Sequence, residues 1–221
     1  MRSTIAARPR VPSRLPWIAA GIVLAALAVS FATEPVFVAV HGLWPLEGGG
    51  WPGVQFAALQ AAVLLAGTWL WPRGLGWRTG RTWREWPATL GVALGSFAVV
   101  LAYSRLAGAT PYAGADWTGF TVVPLMEEGL FRGLAFTAAA RLAARELGEG
   151  PAARYALLVS TLAFALAHAS NALYVAPLFT AFQVAYSAVF GLAFGWLRAR
   201  TGSVWGPVAA HAAMNLAATF A

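Results

Sequence analysis

The sequence predicts an all-α protein, a polytopic bundle of about seven transmembrane helices. The 221-residue chain is 59% hydrophobic and only 10% charged, whereas about 25% of the residues of a soluble domain are charged. Apolar runs recur along the chain and approach the roughly 20 residues that a helix needs to cross the hydrocarbon core of a bilayer. Proline, glycine and arginine separate these runs. Together these observations favour an integral membrane protein.

Seven apolar segments are the predicted spans. They cover residues 16–34, 54–71, 87–107, 117–140, 154–170, 172–197 and 204–220. Residues 1–15 form a basic tail, and residues 16–221 form a single transmembrane domain because no repeat or low-complexity linker divides them. The apolar start, which ends in "SFA" (30–32), is also similar to a cleavable signal peptide. We expect the first helix to remain uncleaved because many further spans follow it.

The arginines orient the predicted bundle. All fifteen basic residues are arginines, and thirteen of them fall in the tail or in the loops after the second, fourth and sixth spans. Seven spans place these regions on one side of the membrane, which the positive-inside rule identifies as the cytoplasm. We therefore expect a cytoplasmic N-terminus and an external C-terminus, in a bacterial inner membrane given so compact a chain. The net charge of +7 indicates topology and does not predict binding of nucleic acid.

Three charged residues lie inside the fourth predicted span, namely Glu127, Glu128 and Arg132. A charge at the centre of a membrane helix costs about 2.5–3.5 kcal/mol on insertion scales, so the cluster requires compensation. Glu128 and Arg132 are four residues apart on one helix face and are predicted to form an ion pair. Glu127 points about 100° away around the helix, so it is available to face another group.

Two histidines also lie inside predicted spans. His168 follows Phe164 by four residues and His211 precedes Asn215 by four, so each pair shares a helix face. At 1.5 Å per residue from the cytoplasmic span ends, Glu127 and His168 lie roughly 20 Å deep and His211 roughly 10 Å deep. Each polar side chain alone is commonly an interhelical hydrogen-bonding group. As a set, ionisable groups within the membrane indicate function, and we expect them to converge on one pocket.

This set of side chains supports hydrolysis of a peptide bond. Glu127 can act as a general base on water, His211 and Asn215 can donate to the oxyanion, and His168 can orient the water or protonate the leaving amine. A metal alternative uses Glu127, His168 and His211 as zinc ligands. The chain has no HExxH motif and no cysteine. We favour the reaction without a cofactor, with zinc as the alternative.

Three short motifs resemble those of a known family. "EEGLFR" (127–132), "FALAH" (164–168) and "HAAMN" (211–215) match in order the EExxxR, FxxxH and HxxxN motifs of the CPBP family. That family comprises the type II CAAX prenyl endopeptidases and the bacteriocin-processing Abi proteins. The resemblance covers roughly residues 117–220. It is specific because the three motifs occur together and in order.

The resemblance implies a glutamate-dependent intramembrane endopeptidase, although prokaryotic members are commonly labelled metalloproteases. The implied catalytic residues are Glu127, His168, His211 and Asn215, with Glu128, Arg132 and Phe164 as supporting residues. Type II CAAX enzymes cleave after a prenylated cysteine and open toward the cytoplasm. Bacterial relatives process bacteriocins or leaders, or trim C-terminal anchors. The expected partners are thus the lipid bilayer and a membrane-associated peptide or protein substrate.

Other classes of membrane protein fit the sequence less well. A rhomboid protease requires an embedded G-x-S-G motif, which is absent, and a presenilin-type protease requires two aspartates where Asp116 is the sole aspartate. A proton-coupled transporter also carries ionisable groups at midplane, but the chain has no repeated halves. The alternatives that remain are this transporter and a non-catalytic immunity or scaffold protein.

Overall fold

The computed structural model describes residues 13–45, 54–55, 57–72, 74–77, 85–106, 117–173 and 175–220. Within these ranges the chain is helical and contains no strand, so the predicted all-α class is confirmed. Residues 1–12 of the predicted tail, the arginines at 73 and 78–84, and Asp116 lie outside the described residues.

The described residues form nine α-helices, one π-helical segment and two short 3₁₀ segments. The α-helices are α1 (Leu15–Leu43), α2 (Ala58–Leu70), α3 (Trp86–Leu106), α4 (Trp117–Phe120), α5 (Val122–Glu128), α6 (Phe136–Leu147), α7 (Glu149–Ala167), α8 (Pro177–Thr201) and α9 (Trp205–Ala217). The π segment (Gly129–Ala135) joins α5 to α6 without a break, and the 3₁₀ segments His168–Leu173 and Ala218–Phe220 extend α7 and α9.

Within the described ranges, four segments are long and apolar enough to cross a membrane: Leu15–Leu43, Trp86–Leu106, Glu149–Leu173 and Pro177–Thr201. The outward faces of these helices carry large apolar side chains, such as Leu90 and Leu158, which are 56% and 60% exposed. Such faces suit contact with lipid chains. An integral membrane protein is therefore supported, whereas the count of about seven spans stays a prediction.

The helix bounds differ from the predicted spans in two places. The first helix continues through Pro35 to Leu43 instead of ending at residue 34, because proline is tolerated inside long membrane helices. The fourth predicted span is interrupted by the π segment, and helical structure continues to Leu147. Arg132 therefore lies in the irregular segment, whereas Glu127 and Glu128 are the last residues of the α-helix before it.

Glycines bring the π segment close to its neighbours. A Cβ atom at Gly129 would lie 2.8 Å from a methyl carbon of Leu64 on α2 and 3.0 Å from the ring of Trp77. Since real Cβ atoms do not approach so closely, glycine allows α2 and the segment after it to pack directly on this turn. π turns occur frequently at functional sites, and this one carries Arg132.

Arg198, near the end of α8, hydrogen-bonds to the backbone of the π segment. Its buried guanidinium donates from Nε to the carbonyl oxygen of Arg132 at 2.8 Å. A second nitrogen lies 3.4 Å from both the carbonyl oxygen of Gly74 and Oγ1 of Thr137. Arg198 thus ties α8, the π segment and the chain after α2 into one unit.

Replacement of this arginine tests that connection. Arg198→Met keeps most of the side-chain length but removes the charged donors to the Arg132 and Gly74 carbonyls. We expect the free energy of unfolding to fall by about 1–3 kcal/mol for each buried acceptor left unsatisfied. Thermal unfolding in detergent measures the loss. Arg200→Met is the matched control because Arg200 is exposed, and an equal loss in both variants would contradict a specific role.

Candidate active site

A fully buried ion pair forms the base of the site. Glu128 and Arg132 are both 0% exposed, and Nη1 of Arg132 lies 3.2 Å from Oε1 of Glu128. The second terminal nitrogen of Arg132 donates to the carbonyl oxygen of Gly191 on α8 at 3.1 Å. The guanidinium carbon lies 4.2 Å from the ring centroid of Phe164 and 5.7 Å from that of Phe194. Three helical elements therefore enclose this charge.

His211, on α9, lies between the two adjacent glutamates. Its Nδ1 is 2.9 Å from Oε1 of Glu128, and its Nε2 is 3.8 Å from Oε2 of Glu127. The ring stacks on Phe194 at 5.3 Å between centroids with 23° between planes. The contact between Glu128 and His211 was missed by sequence reasoning, which assigned Glu128 to Arg132 alone. No spacing rule relates residues 128 and 211, because they lie on separate helices.

His168 lies at the point where α7 gives way to the 3₁₀ segment. Its Nδ1 is 2.8 Å from the carbonyl oxygen of Phe164. Because a carbonyl oxygen can only accept, Nδ1 carries the proton and the neutral ring presents Nε2 as an acceptor. The ring of Phe164, only 2% exposed, contacts both imidazoles, with centroids 4.8 Å from His168 and 6.0 Å from His211. Phe164 thereby sets the separation of the two histidines.

Asn215 lies one helical turn beyond His211 on α9. Its amide nitrogen donates to the carbonyl oxygen of Gly119 in α4 at 2.8 Å. This bond fixes which end of the amide faces α4. A primary amide has two N–H groups, so one further donor remains for a ligand in the adjacent cavity.

A cavity of about 510 Å³ brings these side chains together. Its lining includes Glu127, Phe164, His168, His211 and Asn215. The side chain of Glu127 is 19% exposed, whereas that of Glu128 is fully buried. The structure thus places the four predicted catalytic residues around one cavity and the Glu128–Arg132 pair beneath it, while their catalytic roles remain predictions.

Other polar residues of the cavity wall were missed by the sequence analysis. Asn171 donates to Oε1 of Gln183 at 2.7 Å, and both line the cavity. Ser187, one turn beyond Gln183 on α8, is 1% exposed, and its hydroxyl has no hydrogen-bond partner among the described residues. The four-residue spacing of Gln183 and Ser187 on the largely apolar helix α8 is the signal that could have revealed this polar face.

The predicted zinc ligands can be compared with this geometry. Among the described residues, which include Glu127, His168 and His211, no three acidic or imidazole side chains are grouped closely enough to hold a metal ion. These three side chains do not form a ligand set in this arrangement, and the choice between a site without a cofactor and a zinc site stays a prediction.

The fold and the cavity together define an α-helical membrane protein with a carboxylate and two imidazoles in its interior. Residues 112–217 match the family model described as type II CAAX prenyl endopeptidase Rce1-like. These residues hold all three motifs and are similar to that family, so the resemblance to the CPBP family is confirmed. This family points in general to a CAAX-type intramembrane protease. No curated protein and no solved structure matches the chain.

Removal of Arg132 tests the buried pair. Arg132→Ala leaves the Glu128 carboxylate buried without its arginine partner, and breaking such a pair costs about 3–5 kcal/mol. We expect lower abundance in the membrane, measured by quantitative blotting. The double variant Glu128→Gln/Arg132→Met, which removes both charges, should recover much of the abundance. Normal abundance of Arg132→Ala with selective loss of turnover would contradict a supporting role.

Proposed function

We propose that the chain is an intramembrane endopeptidase that hydrolyses a peptide bond in a membrane-associated substrate with water activated by Glu127. The observation that carries this proposal is the position of the Glu127 carboxylate, 3.8 Å from Nε2 of His211 on the wall of a cavity shared with His168 and Asn215. The proposed substrate classes are CAAX-type C-terminal segments, bacteriocins or their leaders, and C-terminal anchors.

In the proposed first step, Glu127 removes a proton from a water molecule in the cavity. The acceptor nitrogen Nε2 of His168 orients this water by accepting its second hydrogen. Between the two roles considered for His168, geometry favours orientation of the water, because the bond from Nδ1 to the Phe164 carbonyl leaves Nε2 unprotonated in the neutral ring. The hydroxide oxygen then bonds to the carbonyl carbon of the substrate.

The attack places negative charge on the substrate carbonyl oxygen, which requires donors. Asn215 offers its remaining N–H, and His211 offers Nε2–H when its ring is an imidazolium. Glu128 supports that charged form because its carboxylate accepts the Nδ1–H bond at 2.9 Å. Donors of this kind commonly contribute a factor of about 10²–10³ to kcat.

Collapse of the tetrahedral intermediate completes the proposed reaction. The carbon–nitrogen bond breaks, and the proton that Glu127 took from water passes to the leaving amine. Glu127 returns to its ionised form, and the products are an amine and a carboxylic acid, which releases its proton to solvent. The sequence orients the chain in a bacterial inner membrane with a cytoplasmic N-terminus, and this orientation forms part of the proposal.

Loss of the general base tests the central step. Glu127→Gln removes the proton acceptor while keeping the shape of the side chain, so we expect shortening of the substrate to fall by about 10²-fold or more. Lengths of small membrane-associated proteins, measured by mass spectrometry of membranes, report the change. Glu149→Gln, at an exposed glutamate at the start of α7, is the matched control. If no polypeptide depends on Glu127 for its length, a transport or scaffold role replaces the peptidase.

Chelation tests the choice between direct hydrolysis and the zinc alternative. We expect a membrane preparation that shortens its substrate to keep its activity in excess chelator, since Glu127, His168 and His211 do not group as metal ligands. The rate of product formation before and after chelation is the measurement. Loss of activity in chelator, restored by added zinc, would overturn the reaction without a metal.

A further inference from the structure

The described arginines concentrate at one end of the bundle, which we call the arginine end. Eight arginines are described, and Arg132 is buried at the site. Six lie at the arginine end: Arg14, Arg141, Arg145, Arg154, Arg198 and Arg200. Arg105 lies at the opposite end of α3. The asymmetry is what the positive-inside rule uses to identify a cytoplasmic surface.

Contacts between helices establish that these arginines share one end. Ser13, before α1, donates to the carboxylate of Glu146 near the end of α6 at 2.9 Å. Arg141 on α6 lies 5.7 Å from the ring of Trp71, which ends α2. Trp205, which begins α9, donates from its ring to the carbonyl oxygen of Trp77 at 2.8 Å. The first residues of α1 and α9 therefore lie at the same end as the last residues of α2 and α6.

The opposite end is defined by its own contacts. Arg105, at the end of α3, donates to the carbonyl oxygen of Phe220 at 2.6 Å, and Asn215 near the end of α9 donates to Gly119 in α4. The 3₁₀ segment after α7 meets the first turns of α8 here through the bond between Asn171 and Gln183.

The residues that line the 510 Å³ cavity come from the half of the bundle away from the arginine end. They lie in α4 and α5, in the last turn of α7 and its 3₁₀ extension, in α8 up to its middle, and in α9 from His211 onward. Val175, between the 3₁₀ segment and α8, is 39% exposed and lies on the cavity wall. Its position marks the mouth of the cavity.

A second opening lies in the same half. A groove of about 460 Å³ between α3 and α8 is lined by Val99, Tyr103 and Phe182, among others. It shares five lining residues with the cavity: Phe179, Gln183, Tyr186, Phe190 and Ala218. The lateral approach to the site is therefore also displaced from the arginine end.

We propose that the active-site cavity opens to the extracytoplasmic face of the membrane and receives polypeptide segments presented from that side. The arginine end is then cytoplasmic, and the Glu128–Arg132 pair closes the cavity toward it. A family resemblance to CAAX enzymes implies the reverse, a site that opens toward the cytoplasm. The nature of the substrate rests on the proposed peptidase function, whereas the side of opening rests on charge and cavity geometry alone.

The chain contains no cysteine, so a single introduced cysteine reports its own accessibility without a background. Val175→Cys places a thiol at the cavity mouth. Gly150→Cys is the matched variant at the arginine end, where the glycine is exposed and a Cβ atom meets nothing within 4 Å. Both full-length variants are expressed in a bacterial host and treated with a membrane-impermeant maleimide, as intact spheroplasts and after permeabilisation.

The proposal expects Val175→Cys to react fully in intact spheroplasts and Gly150→Cys to gain most of its reaction only after permeabilisation. The reverse pattern would overturn it, because the cavity would then face the cytoplasm. Reaction of Val175→Cys only after denaturation would also overturn it, because the mouth would be closed to water. Labelling does not require turnover. A substrate whose length does not depend on Glu127 would contradict the peptidase function, whereas the reverse labelling pattern would contradict only the side on which the cavity opens.

Discussion

The site depends on one buried charge pair, Glu128 with Arg132. Both side chains are fully buried. An unpaired charge in such a buried position would cost several kcal/mol. The surrounding helices satisfy the pair, since Gly191 on α8 accepts from Arg132 and His211 on α9 approaches Glu128. The helices that carry these partners are therefore held in register with the π segment. The contacts that neutralise this charge therefore also hold the residues of the proposed active site together.

The π segment follows directly after the two glutamates and is held by contacts on several sides. The side chain of Arg132 pairs with Glu128, and the backbone carbonyl oxygen of Arg132 accepts a hydrogen bond from Arg198. A glycine at position 129 lets Leu64 and Trp77 pack against the same turn. Glu127, two residues before this segment, lines the cavity. Local irregularity here positions a side chain, as π turns at functional sites commonly do.

Sequence reasoning predicted the pairs that lie within one helix, and it expected the ionisable groups of separate helices to share one pocket. The Glu128–Arg132 pair follows from a four-residue spacing, and the shared face of His211 and Asn215 follows from the same geometry. The contact of His211 with Glu128 could not be predicted, because helix rotation and depth set it and neither is encoded in local spacing. The extension of α1 through Pro35 was missed for another reason: bilayer context overrides the usual effect of proline.

Two adjacent glutamates can serve different purposes because neighbouring residues on a helix point about 100° apart. One acid can face the protein interior while the other faces the cavity, and a ring at the boundary can meet both. His211 occupies that boundary, with Nδ1 toward Glu128 and Nε2 toward Glu127. The contact with the buried acid therefore fixes the rotation of the ring, and this rotation turns the other nitrogen toward Glu127. A single glutamate at either position could not both orient the imidazole and remain free to accept a proton from water.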